Sequence, residues 1–207
     1  MNPPLTIRPA TVRDVPAIDR LITFYAQRGI MLFRSHAELY ESLREFMVAD
    51  NAGTVVGVGA MEIVWADLAE VRSLAVDPAH QGKGIGRRLV EALEADARRL
   101  EVQRLFTLTY EQTFFEKLGF SVVDKSALPT KVWSACVKCP KRHGCDEIAM
   151  VRTLLDAPAI AEPPADAHAD LHYDVPTPLV QVNVRSRGST LRPRAACDKA
   201  CGSAGRS

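Results

Sequence analysis

Two stretches of this chain carry residues whose types and spacing could do chemistry. Gln81-Gly82-Lys83-Gly84-Ile85-Gly86 places three glycines in six residues, and without Cβ atoms in the way successive backbone N–H groups can point inward together. Such a turn binds anions. Further on, Cys136-x-x-Cys139-Pro-Lys-Arg-His143-Gly-Cys145 gathers three thiols and an imidazole within ten residues. That is enough for a tetrahedral zinc site. A redox pair of Cys136 and Cys139, or reduced thiols holding nothing, fits the same spacing.

The elements that must position the glycine turn are legible around it. Glu70 to Val76 reads as a strand. Behind the turn, Ile85, Leu89, Val90, Leu93, Ala97 and Leu100 recur at the three-and-four spacing of one buried helix face. The helix therefore starts at the turn, and its positive dipole end reinforces the anion site. Neither the Gly-x-Gly-x-x-Gly dinucleotide fingerprint nor the Lys-Ser/Thr ending of the nucleotide P-loop is present. The spacing is Q-x-x-G-x-G.

The rest of the chain supplies a frame. Leu5 and Ile7 predict a short strand. Thr11 and Asp14 are cap candidates for a helix to about Gln27, with Ile18, Leu21, Ile22 and Tyr25 as its buried stripe. Ser35 and Glu38 form a capping box for a second helix. A hairpin follows around Asp50-Asn51-Ala52-Gly53. After the glycine-turn helix come a strand at Arg104 to Thr109, a short helix stopped by Gly119, a strand from Phe120 and a last strand within Asp146 to Leu155. The order β-α-α-β-β-β-α-β-α-β-β predicts an α/β (α+β) domain over residues 5–155, with a cysteine-bearing excursion at 133–147. Residues 156–207 turn to Pro, Ala and Asp and then to Arg and Gly, and read as a disordered tail.

Composition narrows the partners. Lys plus Arg number 26 against 25 for Asp plus Glu in 207 residues, a net charge of +1, so nothing favours nucleic acid or a membrane surface. No apolar run approaches a membrane span, and the N-terminus lacks a signal-peptide layout, so a cytoplasmic protein is expected. The five cysteines all lie at or beyond Cys136 and are odd in number, against a secreted disulfide framework. Whether the chain forms a homo-oligomer stays open.

The Q-x-x-G-x-G loop, the preceding Leu74-Ala75-Val76-Asp77-Pro78 and the later Phe114 to Phe120 run together resemble the GCN5-related N-acetyltransferase (GNAT) superfamily. That resemblance implies a mixed, mostly antiparallel sheet with helices on both faces, and acetyl-CoA as cosubstrate. Gln81, Gly82, Gly84 and Gly86 would surround its pyrophosphate, Lys83 and Arg87 would add positive charge, and the backbone of Leu74 and Val76 would hold its pantetheine arm.

Gly29-Ile30-Met31-Leu32-Phe33-Arg34-Ser35, Glu70 to Val76, Leu105 to Thr109 and Leu128-Pro129-x-Lys131 further resemble the acetyltransferase domain of N-acetylglutamate synthases. The cysteine run resembles the short bacterial form of that family. L-glutamate is then the implied acceptor. Its two carboxylates need two separated cations, preferably arginine for its fork. Arg34 matches the family's carboxylate-binding arginine, and Arg152 and Lys131 are further candidates. Glu70 matches the proposed general base, and Tyr110 is the nearest phenol to act as acid, because Phe115 stands where many relatives have tyrosine. A GNAT enzyme acting on another amine, or a non-catalytic acetyl-CoA or redox sensor, would share these features.

Overall fold

The computed structural model describes residues 5–128, 141 and 144–156, all within one unit. The first strand, β1 (Thr6–Pro9), enters a 3-10 turn at Val12–Asp14 and then α1 (Val15–Ala26). Asp14 organises this corner. Its carboxylate accepts the Thr11 N–H (2.7 Å) and hydroxyl (2.9 Å), and both oxygens accept from the Arg8 guanidinium (2.7 and 2.9 Å). Arg8 also reaches Asp50 (2.9 Å). Arg8, ahead of the backbone contacts, pulls the Asp14 pKa down to about 2.

The second helix, α2 (His36–Glu41), begins at the expected capping box: the Ser35 N–H donates to the Glu38 carboxylate (2.8 Å) and the Glu38 N–H to the Ser35 hydroxyl (3.3 Å). It is only six residues long and passes through a 3-10 turn, Leu43–Glu45, into β2 (Phe46–Asn51). The tight turn into β3 (Thr54–Trp65) puts Ala52 and Gly53 at φ of 57° and 82°. The Gly53 N–H there donates to the Asp50 carboxylate (2.7 Å).

Seven strands form one sheet in the order β1-β2-β3-β4-β5-β7-β6. β4 is Leu68–Val76, β5 Arg104–Thr109, β6 Ser121–Val122 and β7 Ile148–Thr153. All pairs are antiparallel except β4 with β5. Ile18, Leu21 and Ile22 of α1 cover one face, against Val48, Val58 and Ala75. The third helix, α3 (Ile85–Arg99), covers the other, with Val90, Leu93 and Ala97 against Met61, Ala69 and Val71. The short α4 (Gln112–Glu116) adds Phe115 to that layer. Leu93 is fully buried, and its truncation to alanine costs about 2–5 kcal/mol.

Two glycines let α3 approach closely. A Cβ on Gly57 would lie 3.0 Å from Ile85 Cγ2, and one on Gly59 would lie 3.3 Å from Leu93 Cδ1. The helix ends earlier than its apolar pattern predicts. Leu100, expected on the buried face, is 50% exposed. Glu101 takes a left-handed φ of 60° and the Val102 N–H donates back to Ala97 O (2.9 Å), so Val102 fills the core instead.

No described helix is long and apolar enough to cross a membrane.

Candidate active site

β4 and β5 pair over three residues only: Leu68 with Arg104, Ala69 with Leu105 and Glu70 with Phe106. Beyond Glu70 they part, and a cavity of about 1120 Å³ opens between them. The sequence accounts for the parting. On the β3 side, Val58 pairs with Ala75 and Ala60 with Arg72, so Ser73 and Leu74 together face the single residue Gly59. This is a β-bulge with Ser73 at a left-handed φ of 53°, and it bends the strand and increases its twist. Gly59 makes room for the Leu74 side chain, whose Cδ1 would lie 3.1 Å from an added Cβ.

The bulge also leaves β4 with an open backbone edge. The Asp77 N–H donates to Val56 O (2.8 Å), so on strand alternation Ala75 and Asp77 turn toward β3 while Leu74 and Val76 turn away. Both line the cavity. The Val76 carbonyl accepts from the Tyr25 hydroxyl, and the Gln81 amide donates to that same hydroxyl (2.7 Å). Gln81 thus ties the glycine turn to α1 and the end of β4, a structural contact that its motif position did not show.

At the turn itself, Gly82 and Gly84 have φ of 72° and 75°. Apart from their chain neighbours, no atom of the described residues lies within 4 Å of a Cβ added at either, so the space in front is open. Gly84 is the N-cap of α3. The first intrahelical bond runs from the Arg88 N–H to Gly84 O (3.1 Å), leaving the N–H groups of Ile85, Gly86 and Arg87 without carbonyls inside the helix. Arg87 lines the cavity and pairs with Glu91 (2.8 Å). Lys83 is exposed and turns back to Ala79 O (3.0 Å), outside the cavity lining.

The other end of the cavity is charged. Ala69 and Val71 pack under α3, so Glu70 and Arg72 project on the opposite face. Glu70 keeps part of its surface open to the cavity, and its carboxylate makes no hydrogen bond among the described residues. Burial raises its pKa to about 7, against the lowering effect of Arg72, while Glu62 and Glu147 push it up and Arg34 pulls it down. Arg72 is held by Glu45 (2.7 Å) and Glu62.

Arg34 lines the same end and donates to the Ser42 hydroxyl (3.2 Å). Among the described residues no carboxylate pairs with it. Burial, and then the like charge of Arg72, lower its pKa against the raising effect of Glu45, Glu62 and Glu38. Tyr110 lines the opposite wall. Its hydroxyl donates to Asp146 (2.9 Å) and accepts from Lys141 (3.0 Å), and burial raises its pKa, so it holds its proton at neutral pH.

Arg152 stands elsewhere. It shares the face of β7 that carries Met150 beneath α3, pairs with Glu94 (2.8 Å) and donates to Leu118 O. It lines a separate groove with Lys117 and Arg98, so the structure does not bring it to the acceptor end. Lys131, Cys136, Cys139 and His143 lie outside the described residues. Cys145 lines the cavity with its thiol 3.6 Å from Glu147. No group of three His, Cys, Asp or Glu among the described residues is placed to hold a metal ion.

Comparison with known proteins fits this geometry. The model of the acetyltransferase (GNAT) domain matches residues 42–122. An uncharacterized N-acetyltransferase of Chlorobaculum tepidum is 45% identical over 148 residues, 72% of this chain and 96% of its own length. The chain belongs to the GNAT acetyltransferase family. An amino-acid acetyltransferase of Mycobacterium tuberculosis is 42% identical over 130 residues, 61% of this chain and 74% of that one. N-acetylglutamate synthase from Neisseria gonorrhoeae, solved with coenzyme A and N-acetyl-glutamate, superposes with a TM-score of 0.68 at 29% identity, covering 75% of this chain and 36% of that one.

The residues present fit the acyl-CoA that this family uses. Left-handed glycines, the free N–H groups opening α3 and the nearby Arg87 suit a pyrophosphate. The backbone of Leu74 and the N–H of Val76, whose carbonyl is taken by Tyr25, suit an amide-bearing arm, which can add to β4 as a strand would. Arg72 was passed over in the sequence although it sits inside the Glu70 to Val76 strand. Its two-residue offset from Glu70 puts both on one face and was the available signal.

Proposed function

We propose that this acetyltransferase moves the acetyl group of acetyl-CoA to the α-amine of L-glutamate, giving N-acetyl-L-glutamate for the first step of arginine biosynthesis in the cytoplasm. The observation that carries the reading is the placement of Glu70. It is the last residue of β4 to face a partner in β5, it faces the cavity, and its pKa near 7 suits a base that must take a proton at neutral pH.

The chemistry asked of the chain is modest. An α-ammonium group must lose a proton before the amine can attack a thioester carbonyl, and Glu70 accepts it, directly or through one water. Charge then develops on the carbonyl oxygen. The backbone N–H of Leu74, turned from β3 by the bulge, offers a donor to it. The departing thiolate needs a proton, and Tyr110 on the facing wall would give one by turning its hydroxyl from Asp146 to the sulfur. Arg34, which no carboxylate pairs with among the described residues, suits an acceptor carboxylate, where a charge-assisted fork is worth more than a neutral contact.

The M. tuberculosis amino-acid acetyltransferase and the N. gonorrhoeae synthase support amino acid, and glutamate in particular, as the acceptor. The test is NMR of ¹⁵N-glutamate incubated with the protein and acetyl-CoA. Acetylation of the α-amine converts its signal to a protonated amide. Consumption of acetyl-CoA with no amide signal would contradict the reading.

A further inference from the structure

The proposed acceptor carries two carboxylates, and only Arg34 has so far been matched to one. A further cation lines the same cavity from a place no motif marks. Lys125 opens a 3-10 turn, Lys125–Ala127, after β6, and lines the cavity. Its ammonium donates to Cys145 O (3.0 Å) and has no carboxylate within ion-pair distance among the described residues. One of its three donors is therefore used, and among the described residues the other two have no partner. The other cations of the cavity are spoken for: Arg72 by Glu45 and Glu62, and Arg87 by Glu91.

Arg34 and Lys125 approach from different sides. Arg34 belongs to the connection between α1 and α2, beside Phe46 of β2. Lys125 reaches in from the chain between β6 and β7, beside the residues that lead into β7. Glu70 senses Arg34 on the first flank and Glu147, two residues beyond Cys145, on the second, and all of them line the same cavity. We propose that Lys125 is a specificity-determining residue that holds the distal carboxylate of the acceptor, leaving the α-carboxylate to Arg34, so that the site takes an amino acid with two carboxylates. Glu70 and Glu147, both on the cavity wall, are left to face the ammonium group between the two ends.

This inference rests on the acetyl-transfer reading above, and the experiment separates the two. CoA release is measured for the wild type and for Lys125→Met with glutamate, aspartate, α-aminoadipate and glutamine. The wild type should prefer a dicarboxylate. In Lys125→Met, kcat/KM for that dicarboxylate should fall by about tenfold or more, the worth of one charged contact, mainly through KM, while the value for glutamine and the KM for acetyl-CoA stay level. Lys125→Arg should recover most of the loss. Equal losses for glutamate and glutamine, or no loss, would overturn the role of Lys125 while leaving acetyl transfer intact. A wild type that uses none of the three dicarboxylates would overturn both. Should Lys125→Met fail to fold, Lys125→Gln reports the same comparison.

Discussion

Glu70 faces Phe106 across the last paired position of β4 and β5, and one residue later the strands have begun to separate. The carboxylate leaves the sheet on the face opposite α3, half-buried and lining the cavity. This explains why burial, rather than any neighbouring charge, is the first cause of its raised pKa.

Glu70→Gln should therefore remove most of kcat while leaving acetyl-CoA binding unchanged, by the 10²–10⁴-fold typical of a lost general base. In the wild type, kcat/KM should rise with pH through about 7, and that limb should vanish in the variant. Steady-state kinetics between pH 5.5 and about 9 reads both. An unchanged profile would remove Glu70 from proton transfer.

The same group should cost stability. Its pKa rises from 4.5 unfolded to about 7 folded, so folding takes up a proton and the penalty for ionised Glu70 is absent below pH 4.5 and complete above 7. Glu70→Gln relieves it, worth about 2–3 kcal/mol at pH 8. The melting temperature should rise at pH 8 and barely move at pH 4.5, as measured by circular dichroism.

Asp14 predicts the opposite sign. Arg8 holds its pKa at about 2, below the ordinary 3.8, so its contribution is present above pH 3.8 and is lost as pH falls through 2. Asp14 is 6% exposed, while Arg8 is partly solvated. Discounting for that solvent, about 1–2 kcal/mol depends on the pair. Asp14→Asn should lower urea stability at pH 7 by that amount and flatten the acid limb.

Much of this was legible from periodicity. Strand Glu70 to Val76, the glycine turn and α3 follow from alternation, punctuation and three-and-four spacing, each enforced locally. Leu100 was misplaced because the helix stop depends on Glu101 adopting a left-handed φ that no glycine announces. Arg152 was drawn toward the acceptor by family position, but alternation gives parity without saying which face holds the cavity. Only the packing of Met150 and Leu154 under α3 turns Arg152 away from it. Lys125 carried no signal at all, since its place depends on how the chain returns between β6 and β7.

Gly84→Val should abolish cofactor binding. At φ 75° a β-branched residue is strained by sterics alone, and relaxing that strain would turn the N–H groups at the start of α3 away from the anion. Calorimetry with acetyl-CoA should show affinity reduced at least about tenfold in a folded variant, the loss of one or more charged contacts. Unchanged affinity would dissociate the glycine turn from the cofactor.

Arg34→Ala should raise KM for the acceptor with acetyl-CoA KM unaffected, at a cost on the order of 2 kcal/mol for a charge-assisted contact. Arg34→Lys should restore only part, because an ammonium group lacks the planar fork. Kinetics with the acceptor varied at saturating acetyl-CoA makes the distinction.

The central claim, that the parted strands hold acetyl-CoA and an amino acid so that Glu70 meets its amine, is tested most directly by CoA release across a panel of amino acids and simple amines. The account predicts turnover with L-glutamate at the highest kcat/KM, and none with N-methylated or N-acetylated glutamate. Preference for a simple amine lacking carboxylates would contradict it.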